Sequence, residues 1–399
     1  MKHLHKTTLF IACTLAFSSA VNATYQASEK ARALTQDTIL IDSHIDVPYR
    51  VSEKWVDVTQ ATEDGDFDYP RAKAGGLNAP FMSIYVPASL DDSDKSTALA
   101  HKLIDYVEAI VGRAPDKFAI AKSVKDVKEQ FKQGLISLPM GMENGSPIQG
   151  NLDNLNTFYE RGIRYITLAH SQSNHIADSS YDIRRKWKGL SPFGKKLVEE
   201  MNNIGIMVDI SHVSDQAFYQ AIEISKVPVI ASHSSLRKFT PGFERNMDDV
   251  MIKALGKNGG VIQINFGSTF VSKLSQNWRN QMTTKRKALV EEAGQDSPLV
   301  KAFDEEYAVK NPFPFASVDT VLDHIDHVVE LIGIDHVGIG SDYDGVGDSL
   351  PEGLKDVSSY PNLVQGLLDR NYSEADIKKI LSGNFLRVWQ AVETYADKH

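Results

Sequence analysis

The chain has 399 residues, 42% of them hydrophobic and 24% charged, the balance of a soluble globular protein with ample material for a core. Its formal charge of −9, which becomes −11 without Lys2 and Lys6, is spread along the chain without a basic stripe and argues against nucleic acid as a partner. The single cysteine, Cys13, leaves the rest of the chain without a disulfide, so stability has to come largely from the core.

Lys2 and Lys6 precede an apolar run from Leu9 to Phe17, and the small residues Val21-Asn22-Ala23 follow it, the layout of a cleaved export signal over 1–23. The run is too short to span a bilayer. Because it continues past Cys13, that residue reads as an inert part of the signal rather than a lipidation site. Residues 24–399 are then expected as one domain, periplasmic or secreted. The polar ending Glu393-Thr394-Tyr395-Ala396-Asp397-Lys398-His399 gives no reason to expect a membrane anchor.

Eight short runs rich in β-branched and apolar residues follow: Thr38 to Ile41, Phe81 to Val86, Leu135 to Met140, Arg164 to Leu168, Ile206 to Ile210, Val227 to Ala231, Gly260 to Asn265 and His336 to Gly340. Amphipathic helical stretches separate them, clearest at Ser96 to Val111 and Phe193 to Ile204. Near-continuous apolar strands alternating with helices predict a parallel sheet covered on its faces, and eight of them predict a (β/α)8 TIM barrel. A doubly wound sheet is the alternative, but no Gly-rich dinucleotide turn follows the first strand. The longest connection, Phe266 to about Ser317, precedes the eighth strand. It holds a helical stretch, Leu289 to Glu306, then the loop Asn311 to Phe315; a lid and a bracing insertion are both open readings. Ser373-Glu374-Ala375-Asp376 predicts a capping box for a C-terminal helical tail, which Gly383-Asn384 should break before Phe385 to Tyr395 resumes it.

Side chains suited to metals follow the strand ends: His44 and Asp46, Glu143, His170, His212, His233, and Asp342 with Asp344. In a parallel barrel these ends open onto one C-terminal face, where barrel enzymes keep their active sites. Imidazoles with carboxylates suit zinc, with manganese, cobalt and iron disfavoured but not excluded, and one carboxylate could bridge two ions. His324 and His327 fall three apart on a helical stretch and read as a solvated face; His336 faces the barrel's stability end. His175 is either a substrate contact or a polar loop residue. Asp209 reads as a buried hydrogen-bonded carboxylate. Asp42 reads as a structural aspartate or as the group that fixes the His44 ring, provided residues 42, 44 and 46 share one side of the strand.

His44-x-Asp46, Gly141-Met142-Glu143-Asn144-Gly145, the string from Arg164 to Ser171, Val208-Asp209-Ile210-Ser211-His212, Ser232-His233-Ser234-Ser235 and Asp342-x-Asp344 occur in an order that resembles the renal (membrane) dipeptidases. The resemblance runs from about Thr38 to the tail around Gly383 to Val388. It implies a two-zinc hydrolase in which His44, Asp46 and Glu143 hold one ion and Glu143, His212 and His233 the other. It further implies that His170 contacts substrate and meets the oxyanion, that Asp342 transfers protons, and that Arg245 binds the substrate's terminal carboxylate. The loop from His233 to Arg245 is about one residue longer than the family pattern. The stretch Ser171 to Asp178 lacks the Cys-Asn-Thr-Pro-Trp wording of the animal enzymes, so their substrate preference does not transfer with the metal chemistry.

These implications lead to a dipeptidase that attacks one peptide bond with a metal-bridging hydroxide and tolerates a D-residue at the C-terminal position. A homodimer without a disulfide is compatible with it. The alternatives are another exported metal-dependent amide or ester hydrolase, such as one processing a peptide natural product, and a non-catalytic binding protein that keeps the barrel.

Overall fold

In the computed structural model, which describes residues 26–399, eight short parallel strands pair in chain order. They are β1 (Ile41–Ile45), β2 (Ala79–Tyr85), β3 (Met140–Glu143), β4 (Ile163–Thr167), β5 (Met207–Asp209), β6 (Ile230–Ser234), β7 (Val261–Ile264) and β8 (Val337–Ile339). All are buried along their length apart from Tyr85. The sheet closes just beyond β8, where Asp342 N–H donates to the His44 carbonyl (3.1 Å) and Asp46 N–H to the Tyr343 carbonyl (2.9 Å). This is the (β/α)8 barrel expected. The export-signal reading over 1–23 lies outside the described residues, among which no helix is long and apolar enough to cross a membrane.

Local chemistry sets the alternation. The helix Leu152–Arg161 starts at Asn151, whose side chain accepts from the Asp153 N–H, and stops at Gly162 with φ of 107°. Only glycine enters that left-handed conformation without cost, and Ile163 opens β4 immediately after it. The helix Pro192–Ile204 repeats the device between Ser191 and Gly205.

The third predicted strand is corrected. The run Leu135 to Met140 divides at Pro139, which has no N–H to give a ladder. Ile136–Leu138 pairs with Phe118–Ile120 in a separate two-stranded sheet, and Met140–Glu143 enters the barrel. Glu143 thereby ends a barrel strand. The first strand also begins where it was expected to end, since Thr38 caps the helix Glu29–Asp37 and β1 runs on through His44.

The C-terminal tail closes the opposite end of the barrel. Phe385 and Trp389 pack edge-on against Phe81 with ring centroids 5.1 and 5.2 Å apart. Gly383-Asn384 does not break this helix as expected: a π-turn over Lys379–Gly383 leads straight into Asn384–Ala396. The Asn384 amide instead donates to the carbonyls of Ile334 (2.7 Å) and Val337 (2.8 Å), tying the tail to β8.

The long insertion is helical. Gly294 interrupts the predicted stretch Leu289 to Glu306, giving Lys273–Ala293 and Pro298–Lys310, which pack through Trp278 and Tyr307. His324 and His327, expected on a solvated face, are buried on the helix Val318–Ile332. Their helix turns that face inward: His324 accepts from the Leu236 N–H at Nδ1 and reaches the Val271 carbonyl with Nε2, each at 3.1 Å.

Candidate metal centre

At the C-terminal end of the strands the Glu143 carboxylate is surrounded by imidazoles. Its Oε2 lies 3.5 Å from His44 Nε2, and its Oε1 lies 3.1 Å from His212 Nε2, 3.2 Å from His233 Nε2 and 3.4 Å from His170 Nε2. Asp46 adds an oxygen 3.5 Å from His44 Nε2. Three overlapping groups therefore have ligand atoms mutually close enough for one ion: His44, Glu143 and His233; Glu143, His170 and His212; His44, Asp46 and Asp342. The residues come from six strand ends, His44 and Asp46 sharing that of β1, and all open onto the one face where barrel enzymes keep their sites.

The donor set fits a metal. His44 Nε2 is fully buried without a hydrogen-bond partner, and the Nε2 atoms of His212 and His233 face each other at 2.8 Å. Burial, with Arg245 and His170 beside His212 and with His44 beside His233, holds both rings well below the usual histidine pKa. Both therefore stay neutral, the state in which an imidazole binds a cation. Glu143 is held well below the usual carboxylate range because the surrounding histidines outweigh its burial.

The rings are oriented from behind. His233 Nδ1 stands 2.7 Å from Ser232 Oγ, which donates to Asp209 Oδ2 at 2.6 Å. Asp209 also accepts from the backbone of Ser211 and Ser232, so the buried carboxylate expected there anchors two strand ends. The His44 ring is held by Tyr165, not by Asp42. Asp42 turns to the Ser341 N–H and the Tyr360 hydroxyl, because a register shift between Asp42 and Ile45 takes residues 42, 44 and 46 off one common side. Burial pushes its pKa up to about 6. His212, Asp342 and Asp344, with φ of 68°, 65° and 65°, are three of the eight non-glycine residues in the left-handed region among the described residues.

His170 packs against Tyr85 and His212, with ring centroids 4.9 and 4.2 Å away. Asp342 accepts from the Asn265 amide at 2.7 Å, and burial together with Asp46 raises its pKa well above the ordinary range. Arg245 is 3% exposed, not a surface residue. It donates to Ser234 Oγ (2.9 Å) and the His233 carbonyl (2.7 Å), lies 3.0 Å from His212 Nε2, and stacks over Phe270. His175 lies away from the cavity against Phe193, where burial lowers its pKa to about 4.

A cavity of about 400 Å³ opens over this cluster. Sequence reasoning missed much of its wall: Tyr49, Tyr85, Tyr181, Phe270 and Arg279. Phe270 and Arg279 come from the long insertion, which contributes to the site as well as bracing the barrel. Of these only Tyr85 ends a strand, and as an aromatic side chain it carries no metal-ligand signal; the others lie in connections where no spacing distinguishes them.

The membrane dipeptidase model (peptidase family M19) matches residues 28–399. The chain belongs to this family. As a membrane dipeptidase family member it is a metallo-dipeptidase, and its cluster of histidines and carboxylates is a candidate seat for the metal. Similar relatives are mouse dipeptidase 3, 32% identical over 93% of this chain and 68% of its own length, and dipeptidase tcpJ of Claviceps purpurea, 34% identical over 84% and 72%. The crystal structure of the probable dipeptidase PvdM from Pseudomonas aeruginosa superposes with a TM-score of 0.79 at 27% identity, covering 92% of this chain and 98% of that one.

Proposed function

We propose that the protein is an exported dipeptidase that holds two zinc ions per chain, one by His44, Asp46 and Glu143 and the other by Glu143, His212 and His233. The observation that supports this most is the division of the Glu143 carboxylate: Oε2 faces His44 while Oε1 faces His212 and His233. A bound metal pair supplies an acidified water and polarises the scissile carbonyl.

The protein's own residues supply the rest of the mechanism. Asp342, on the cavity wall with a carboxylate oxygen close to that of Asp46, accepts the proton of the attacking water and delivers it to the leaving amine. Its orientation is set by the Asn265 amide. His170, half-buried beside Glu143, meets the charge that develops on the carbonyl oxygen. Arg245 forks onto the substrate's terminal carboxylate. Family membership supports tolerance of a D-residue at the C-terminal position, and the mature protein is the single domain 24–399.

A panel of free dipeptides including L-Ala-D-Ala, assayed with zinc-loaded protein, tests this. Turnover of L,L and L,D dipeptides with longer peptides left intact is expected. Failure to cleave any dipeptide, with turnover of some other amide or ester, overturns it.

A further inference from the structure

The helix Lys273–Ala293 of the insertion brings Arg279 to the wall of the cavity. It is the one arginine or lysine among the described residues that line it, where the carboxyl groups are those of Asp46, Glu143, Asp342 and Asp344. Its guanidinium has no hydrogen-bond or ion-pair partner among the described residues. Burial lowers its pKa, with Tyr181 opposing the shift. Arg279 is exposed, and an unpaired guanidinium at a cavity wall is a ready receptor for a carboxylate.

Arg245 is placed differently. It is tied to Ser234, the His233 carbonyl and His212 at the base of the site, beside the reacting centre, where a terminal carboxylate next to the scissile bond belongs. Arg279 approaches from a helix outside the barrel. It shares its wall with Tyr181, whose ring is 6.0 Å from that of His212, and with Phe270, which underlies Arg245 at 5.4 Å. Both arginines act on the Tyr181 hydroxyl, so Arg279 stands on the Arg245 side of the cavity, and its exposure puts it further toward the mouth than buried Arg245.

We propose that Arg279 is a specificity-determining residue that pairs with an acidic side chain on the C-terminal residue of the substrate. The protein then favours dipeptides ending in Glu or Asp over their amide counterparts. This rests on the dipeptidase reading above and on its assignment of the terminal carboxylate to Arg245.

The test compares kcat/KM for L-Ala-L-Glu and L-Ala-L-Gln with the metal-loaded full chain, in the wild type, Arg279→Gln and Arg279→Lys. The wild type should prefer Ala-Glu by about ten- to a hundredfold, the range of one charge-assisted pair. Arg279→Gln should bring the ratio close to one, with a far greater loss on Ala-Glu than on Ala-Gln, and Arg279→Lys should keep part of the preference. A wild-type ratio near one overturns the proposal, as does an equal loss on both substrates in Arg279→Gln, which would assign Arg279 to the terminal carboxylate. Should no dipeptide be cleaved, the functional reading fails, and calorimetric binding of the same two dipeptides decides Arg279. Tighter Ala-Glu binding in the wild type alone upholds it, and equal binding overturns it.

Discussion

Tyr165 stands between His44 and its own strand: its hydroxyl donates to the Ser43 carbonyl at 3.0 Å and lies 2.8 Å from His44 Nδ1. A hydroxyl has one proton to give, so once it points at Ser43 the His44 Nδ1 must carry the hydrogen of their contact. That leaves the lone pair on His44 Nε2, the atom aimed at Glu143 and Asp46. Ser232 does the same for His233, since its proton goes to Asp209. Two hydroxyls thus decide which nitrogen of each ring keeps its lone pair when the ring is neutral.

Tyr165→Phe removes this control without opening a cavity. Metal affinity should fall by about 10- to 100-fold, the usual effect of losing a group that orients a ligand. Stability should drop by about 2 kcal/mol, the net value of the two buried hydrogen bonds lost. Competition against a chelator of known affinity, paired with urea unfolding, measures both. Unchanged affinity would show that the tautomer is set elsewhere.

Gly345→Ala probes how tightly the two carboxylates are packed. A Cβ there would lie 2.2 Å from both Asp342 Oδ1 and Asp46 Oδ2, so one or both must swing away. Gly345 is itself exposed and its φ is not left-handed, so the fold should survive. Activity should fall by at least about tenfold, an amount corresponding to 1.4 kcal/mol of lost positioning, with Tm unchanged. Wild-type kcat/KM in this variant would place the reacting groups elsewhere.

His324 makes stability depend on pH. Burial lowers its pKa to about 4, and Leu236 N–H already occupies its Nδ1, so protonation sets two donors against each other. A histidine depressed in the folded state contributes stability that is complete above its unfolded pKa of about 6.5. That contribution drains away as pH falls toward 4 and amounts to about 3 kcal/mol. Urea unfolding of chelator-treated protein between pH 7 and 4 should fall more steeply for the wild type than for His324→Gln. Parallel profiles would contradict this.

Much of the site was legible because barrel chemistry is confined to strand ends. His44, Glu143, His212, His233 and Asp342 are separated by tens of residues, yet each follows or ends an apolar run, and the structure brings them together. What failed were readings that depend on reach or on the neighbour across a contact. Pro139 moved the third strand because a missing N–H matters only once a pairing partner exists. Asp42 lost its expected link to the His44 ring through a register shift that no spacing reveals. His324 and His327 were placed in water because their helix was read without knowing that Leu236, Val271 and Lys238 would meet its polar side. Arg279 carried no signal at all, since the long insertion has no strand to locate it.

The central claim is that Glu143 joins two metal ions in a working dipeptidase. Metal content per chain and dipeptide turnover, measured together for the wild type and Glu143→Gln before and after chelation, test it most directly. The account predicts two ions per chain, activity lost on chelation and restored by zinc, and a variant that loses metal and activity by more than the ~100-fold expected of a supporting residue. One ion or none in the wild type, cleavage indifferent to chelator, or a Glu143→Gln protein that keeps both metal and activity would contradict it.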